Sequence, residues 1–193
     1  MKNGKEEKIL KAAEKVFVKK GFFPTRIEDI AETANIAKGT VYLYFPDKTS
    51  IYVALLEKHL SEGIDLIETI KREKSKAMNK LERIFDEGFE LVSHVKGMIP
   101  LVSIENINLT AEIMKAIKVK IQPKMKQTID SLAEIIQAGI DKKEIKKIDA
   151  KLGAFIILDL IRACSFIQDF APNPEEHRGK IKELFFYGIK GKK

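Results

Sequence analysis

The sequence predicts an all-α protein of about nine helices. Apolar residues recur at spacings of three and four along almost the whole chain, no stretch alternates between hairpin turns, and capping residues, Gly and Pro mark where the periodic runs begin and end. The first helix is predicted from about Lys5 to Lys20, with Ile9, Ala12, Ala13, Val16 and Phe17 on one face and Gly21 placed to end it. The second follows Pro24: Thr25, with Glu28 three residues on, fits a capping box, and Ile27, Ile30, Ala31 and Ala34 form its buried stripe. A third short helix spans about Lys38 to Phe45, stopped by Pro46, whose ring disfavours helix at the preceding residue. Asp47 caps the fourth, about Lys48 to Arg72, which carries Ile51, Leu55, His59 or Leu60, Ile64 and Ile67 along one side.

Beyond it, helices are predicted over about 75–96, 98–109 and 111–143, the last restarting or bending at Pro123. Asp149 caps a helix from about Ala150 to Phe170 that is apolar around nearly its full circumference, so it must be buried on more than one side. Asn173-Pro174-Glu175-Glu176 opens a final helix with Ile181, Leu184, Phe185 and Ile189 on one face. The domain boundary falls in helix four, shared between a small N-terminal three-helix unit and a larger helical body.

At 193 residues, 45% hydrophobic and 33% charged, the chain can bury a sizeable core, and its 11 Gly and 6 Pro exclude low-complexity and collagen-like classes. The single cysteine, Cys164, rules out an internal disulfide framework and cysteine-rich zinc modules. The N-terminus lacks the apolar stretch of a signal peptide and no apolar run is long enough to span a bilayer, which predicts a cytoplasmic protein. The net charge of +7 favours acidic partners without choosing among them. Residues 1–50 hold ten basic and seven acidic side chains, net +3, so the first quarter carries nearly half the excess.

Residues 27–45 form a short helix, a tight turn and a second short helix, the pattern of a helix-turn-helix. On the second helix Lys38, Thr40, Tyr42 and Tyr44 supply polar tips, Val41 and Phe45 supply core anchors, and Gly39 permits close backbone approach. With Gly21-Phe22, Thr25, Asp29-Ile30-Ala31, Ala34, the run Ala37-Lys38-Gly39-Thr40-Val41-Tyr42-Leu43-Tyr44-Phe45 and Lys48, the first 50 residues or so resemble the TetR/AcrR family of transcriptional regulators.

The resemblance implies a helix-turn-helix DNA-binding domain over residues 1–47 and a ligand-binding and dimerisation domain over 48–193. Three positions depart from the family's usual pattern. Asn35 stands where Gly is frequent, and Asn tolerates a left-handed backbone better than most residues. Ala37 stands where Ser or Thr commonly caps the recognition helix, and Arg26 where Thr or Ser is common.

A recognition helix enters the major groove, so Thr40 and Tyr42 are the candidates for base or thymine-methyl contacts. By resemblance Lys38, Tyr44 and Lys48 contact phosphates, with the backbone at Gly39, and Arg26 can reach a phosphate or a base edge. Half-buried packing is the alternative role for Tyr42 and Tyr44.

The resemblance further implies a homodimer on two half-sites and a small-molecule effector bound in the body. Gly153, Ala154, Phe185 and Phe186 are candidates for an intersubunit bundle, with a purely intramolecular core as the alternative. Phe85, Phe89, Met98, Leu101, Met114, Ile117, Phe155 and Phe166 are candidate pocket walls, and each reads equally as ordinary core. Asp159 and Arg162 read first as a mutually neutralising pair and second as polar contacts in that pocket.

No cofactor, metal or membrane partner is expected. An enzyme is poorly supported: Cys164 lies in an apolar helix, His59, His94 and His177 are dispersed, and no phosphate loop or nucleophile elbow is present. Glu87, Glu90 and His94 share a helical face, but it opposes the apolar stripe Leu81, Ile84, Phe85, Gly88, Leu91, Val92 and Val95, and so reads as solvated. The expected function is therefore a ligand-responsive, DNA-binding transcriptional regulator, a repressor rather than an activator. The alternative is a helical interaction module that keeps the fold without operator binding.

Overall fold

The computed structural model describes residues 2–95, 111–167 and 170–190. These form nine α-helices: α1 (Lys2–Lys20), α2 (Ile27–Thr33), α3 (Lys38–Tyr44), α4 (Lys48–Lys71), α5 (Ala77–Val95), α6 (Ala111–Ala116), α7 (Gln122–Asp141), α8 (Ala150–Ile167) and α9 (Pro174–Ile189). The helix expected over 98–109 lies outside the described residues. Among those described, no helix is long and apolar enough to cross a membrane.

The chain divides into two compact units, Met1–His59 with Val95–Pro123, and Leu60–His94 with Lys124–Lys193. In the first, Ile9, Ala13 and Phe17 of α1, Ile30 of α2, Val41 of α3, and Ile51 and Leu55 of α4 close one buried cluster. At seven residues each, α2 and α3 are too short to persist alone, since isolated helices need roughly 12–15 residues even in favourable sequences. Their stability comes from these anchors.

Local chemistry sets the boundaries. Gly21 takes the left-handed backbone, φ 80°, and its N–H donates to the Phe17 carbonyl, ending α1 as the sequence predicts. The cap of α2 falls one residue later than expected. Thr25 is buried and its hydroxyl donates to the Gly21 carbonyl at 2.6 Å, so Arg26 becomes the N-cap and its N–H donates to Asp29 Oδ2 at 2.9 Å. A guanidinium has no acceptor to return that bond, so only half of the box is made. Asp47 caps α4 as expected, accepting from the Ser50 N–H at 2.6 Å while Ser50 Oγ donates to the Asp47 carbonyl.

In the second unit Leu81, Ile84 and Phe85 of α5, Leu132 and Ile136 of α7, and Ala154 and Ile157 of α8 form the core. Phe186 of α9 meets Phe85 edge to face at 6.0 Å. Close approach is built in at Gly139, where an added Cβ would lie 2.6 Å from Ile145 and 2.7 Å from Ala77.

Three sequence expectations shift here. Helix α7 begins at Gln122, and the accommodation of Pro123 lies upstream of it as a π-helical turn, Ile117–Ile121. Pro123 has no N–H for the carbonyl four residues back and its ring crowds that carbonyl. Widening the preceding turn, so that Gln122 N–H donates to the Ile117 carbonyl, removes the conflict. The described span of α8 is Ala150–Ile167, and Phe170, expected as the last residue of the helix, lies exposed in a turn. On α9, Leu184 is exposed and the buried stripe runs through Ile181, Phe185, Phe186 and Ile189.

Candidate DNA-binding site

The corner between α2 and α3 is a Schellman turn. Asn35 sits at φ 48°, its N–H donates to the Glu32 carbonyl at 2.9 Å, and the Ile36 N–H reaches the Ala31 carbonyl at 3.0 Å. Asn35 thus does the work of a glycine, and Ile36 packs back against the first core, fixing the angle at which α3 leaves. Ala37 is the N-cap of α3 and supplies no side-chain bond. Its carbonyl accepts from the Thr40 N–H at 2.8 Å.

Val41 is fully buried and Phe45 nearly so, which turns the opposite face of α3 to solvent. That face presents Lys38, Gly39, Tyr42 and Leu43, with Thr40 at its edge. The two tyrosines part company. Tyr42 is exposed, whereas Tyr44 is half-buried and packs on the first core. Sequence reasoning passed over Leu43, which is 83% exposed. An apolar side chain that bare on a seven-residue helix gains nothing from folding, and the signal was available in the spacing: Leu43 is two residues from each of the anchors Val41 and Phe45.

The cations differ in what they do. Lys38 pairs with Glu28 of α2 and lies 5.7 Å from the Tyr42 ring centre. The hydrogen bond and charge of Glu28 hold the Lys38 pKa above its ordinary value, and Lys38 holds Glu28 below its own. Arg26 is exposed at the N-cap of α2. Lys48 is committed inward. Its ammonium donates to the carbonyls of Phe22 at 2.7 Å, Phe23 at 2.9 Å and Thr25 at 2.8 Å, and stands 4.5 Å from the Phe22 ring centre. Burial pulls its pKa below the usual lysine range. An ammonium has three N–H bonds, and in the DNA-free protein all three are taken, so the phosphate contact expected of Lys48 requires that a carbonyl be given up first.

The remaining candidates are dispersed. Met98 and Leu101 lie outside the described residues. Met114 and Ile117 fall in the first unit, and Phe85, Phe89, Phe155, Asp159, Arg162 and Phe166 in the second. Phe85 and Phe89 are core, Phe155 is exposed, and Asp159 pairs with Arg162 at 2.8 Å as the neutralising reading expects. An open groove of about 660 Å³ in the second unit is lined by Met78, Glu82, Lys182, Phe186 and Tyr187 among others, and by none of the ten pocket candidates.

Gly153, Ala154 and Phe186 are used inside the chain: an added Cβ at Gly153 would stand 3.2 Å from Ile136 and Ile148, and Phe185 is half-buried beside Phe186. The apolar residues that α8 and α9 leave exposed are instead Leu152, Phe155, Ile156, Leu184 and Tyr187. Glu87 and Glu90, read as a solvated face, bond Arg83 and Arg178.

Residues 9–55 match the family of bacterial regulatory proteins described as the tetR family. The fatty acid metabolism regulator protein of Bacillus subtilis (strain 168) is 28% identical over 163 residues, 83% of this chain and 81% of that protein. The HTH-type transcriptional regulator YhgD of the same organism is 26% identical over 187 residues, 95% of this chain and 94% of its own. Among solved structures, the transcriptional regulator FadR from Bacillus subtilis in complex with stearoyl-CoA aligns with a TM-score of 0.75 at 25% identity, covering 95% of this chain and 98% of that one. FadR from Bacillus halodurans aligns with a TM-score of 0.77 at 19% identity, covering 97% of each chain, a likeness of fold.

Proposed function

Because the chain belongs to the TetR family of DNA-binding transcriptional regulators, we propose that it is a cytoplasmic homodimeric repressor that binds a palindromic operator and is released by a largely apolar ligand, a long-chain fatty acyl thioester. In this reading residues 1–47 bind DNA and residues 48–193 bind ligand and dimerise. Lys38, Gly39, Thr40, Tyr42 and Leu43 meet the major groove, Thr40, Tyr42 and Leu43 reading bases while Lys38 and Arg26 meet the backbone. Tyr44 and Lys48 hold α3 and α4 in place. The exposed face of α3 supports the DNA contacts, and the ligand class rests on one observation: the Bacillus subtilis relative that aligns over four-fifths of the chain is a fatty acid metabolism regulator, with a structural counterpart holding stearoyl-CoA.

Release follows from linkage. Stearoyl-CoA must bind the DNA-incompetent state more tightly, and operator DNA must weaken stearoyl-CoA binding by the same factor. The test is fluorescence anisotropy of the upstream DNA of the protein's own gene against a shuffled duplex, with stearoyl-CoA titrated into the complex. Selective binding reversed by micromolar stearoyl-CoA is expected. Operator binding indifferent to the thioester would remove the ligand assignment and leave the regulator.

A further inference from the structure

The segment Met114-Lys115-Ala116-Ile117-Lys118-Val119-Lys120-Ile121, the end of α6 and the π-helical turn, holds no buried residue. It lies in a stretch, residues 113–129, with five lysines and no acid. Its one ion pair among the described residues is a long one, Lys120 to Glu57 of α4 at 3.8 Å, and no described carboxylate pairs with Lys115 or Lys118. Those two stand three apart, a spacing at which like charges repel along a helix. Met114 and Val119 beside them are 45% and 64% exposed. Elsewhere most lysines with a defined neighbour meet an acid, as Lys71, Lys151, Lys180 and Lys182 do.

A positive cluster next to bare apolar side chains, on backbone already widened by a π turn, matches a ligand that is anionic at one end and apolar at the other. We infer that Lys115 and Lys118 form the polyphosphate-binding site of this protein, taking the phosphates of an acyl-CoA headgroup while Met114 and Val119 cover the apolar part of the ligand next to it. The inference rests on the acyl-thioester reading above and deepens it: a free fatty acid brings one negative charge to these lysines whereas a CoA headgroup brings several on its phosphates, so the site favours the CoA ester over the acid.

The test compares the full-length protein with Lys115→Gln/Lys118→Gln, with Lys115→Arg/Lys118→Arg, and with Lys5→Gln/Lys8→Gln as a control of equal charge. Binding of stearoyl-CoA and of stearate is measured by calorimetry at two salt concentrations, and thermal melting checks that each variant is folded. The glutamine pair is expected to weaken stearoyl-CoA at least tenfold, flatten its salt dependence and leave stearate unchanged, with the arginine pair restoring affinity and the control behaving as wild type. Unchanged stearoyl-CoA affinity in the glutamine pair overturns the site while leaving the acyl-thioester reading intact, provided the wild type binds the ester. A wild type that binds stearate but not the ester, or neither, overturns both. A glutamine pair that alters only the salt slope of operator binding assigns these lysines to DNA phosphates and overturns the inference as well.

Discussion

The Lys48 ammonium lies 2.8 Å from the carbonyl oxygen of Thr25, across 23 residues of sequence, and ties the start of α4 to the entry of α2. With its bonds to Phe22 and Phe23 it satisfies three carbonyls of the loop that ends α1. Lys48→Ala is expected to lower stability by about 1–3 kcal/mol, the value of hydrogen bonds to a charged donor. Lys48→Arg should rescue it only in part, because the planar guanidinium spreads its donors over a wider arc than the compact ammonium that fits these three carbonyls. Thermal melting measures the loss. A surviving phosphate contact would instead appear as a decrease of about one in the salt slope of DNA binding with no change in melting.

In the proposed DNA-binding role of Lys38, Glu28 is a competitor for its ammonium. The two side chains are joined in the DNA-free protein, so binding a phosphate through Lys38 must first break that pair. Glu28→Gln is therefore expected to tighten binding to operator and shuffled duplex alike, by up to about fivefold, the range of exposed ion pairs. Tyr42→Ala should do something different, weakening operator binding while sparing shuffled DNA. Anisotropy titrations of both duplexes separate the two. A Glu28→Gln gain confined to the operator would mean that Lys38 reads a base.

The helix-turn-helix was legible in the sequence because its determinants are local. Val41 and Phe45 sit one helical turn apart, Asp47 precedes a run that needs a cap, and Asn35 can take the left-handed angle that the corner demands. The role of Lys48 was not legible, since its partners are backbone carbonyls 23 to 26 residues away and carry no side-chain signature. The end of α7 was blurred for a related reason. Lys143 occupies the left-handed position at φ 60° where glycine is usual, so no residue announced the stop. On α8 and α9 periodicity gave an apolar excess without its sides. Whether Phe186 or Leu184 faces inward depends on Phe85, a helix distant in sequence.

Tyr52 supplies a pH signature for the first unit. Burial pushes its phenol up to about 12 from an ordinary value near 10. A raised folded-state pKa contributes stability that is complete below the unfolded value and lost as pH rises through the folded one, so the loss falls between about pH 10 and 12. Two pKa steps correspond to about 3 kcal/mol. In denaturant melts along this range the wild type should lose stability relative to Tyr52→Phe as pH rises, whatever the lysines contribute to both. Parallel curves would mean that Tyr52 ionises in the folded protein as freely as in the unfolded one.

The exposed apolar residues of the last two helices carry the final prediction. Leu184 and Tyr187 are both 79% exposed and lie three apart on α9, while Leu152, Phe155 and Ile156 are exposed on α8. Leaving five such side chains in water forfeits burial worth roughly 1.5–3 kcal/mol for each one fully covered. A second copy presenting the same face offers a self-complementary cover, as a two-fold dimer requires. Leu184→Glu, at a position 79% exposed, is expected to leave the monomer fold and its melting cooperativity intact while shifting sedimentation from dimer to monomer. Because specificity needs two half-sites read together, the same variant should lose most operator affinity yet retain weak binding to an isolated half-site. A Leu184→Glu protein that remains dimeric would place the interface on another face. Retention of full operator affinity by a monomer would show that one recognition helix suffices.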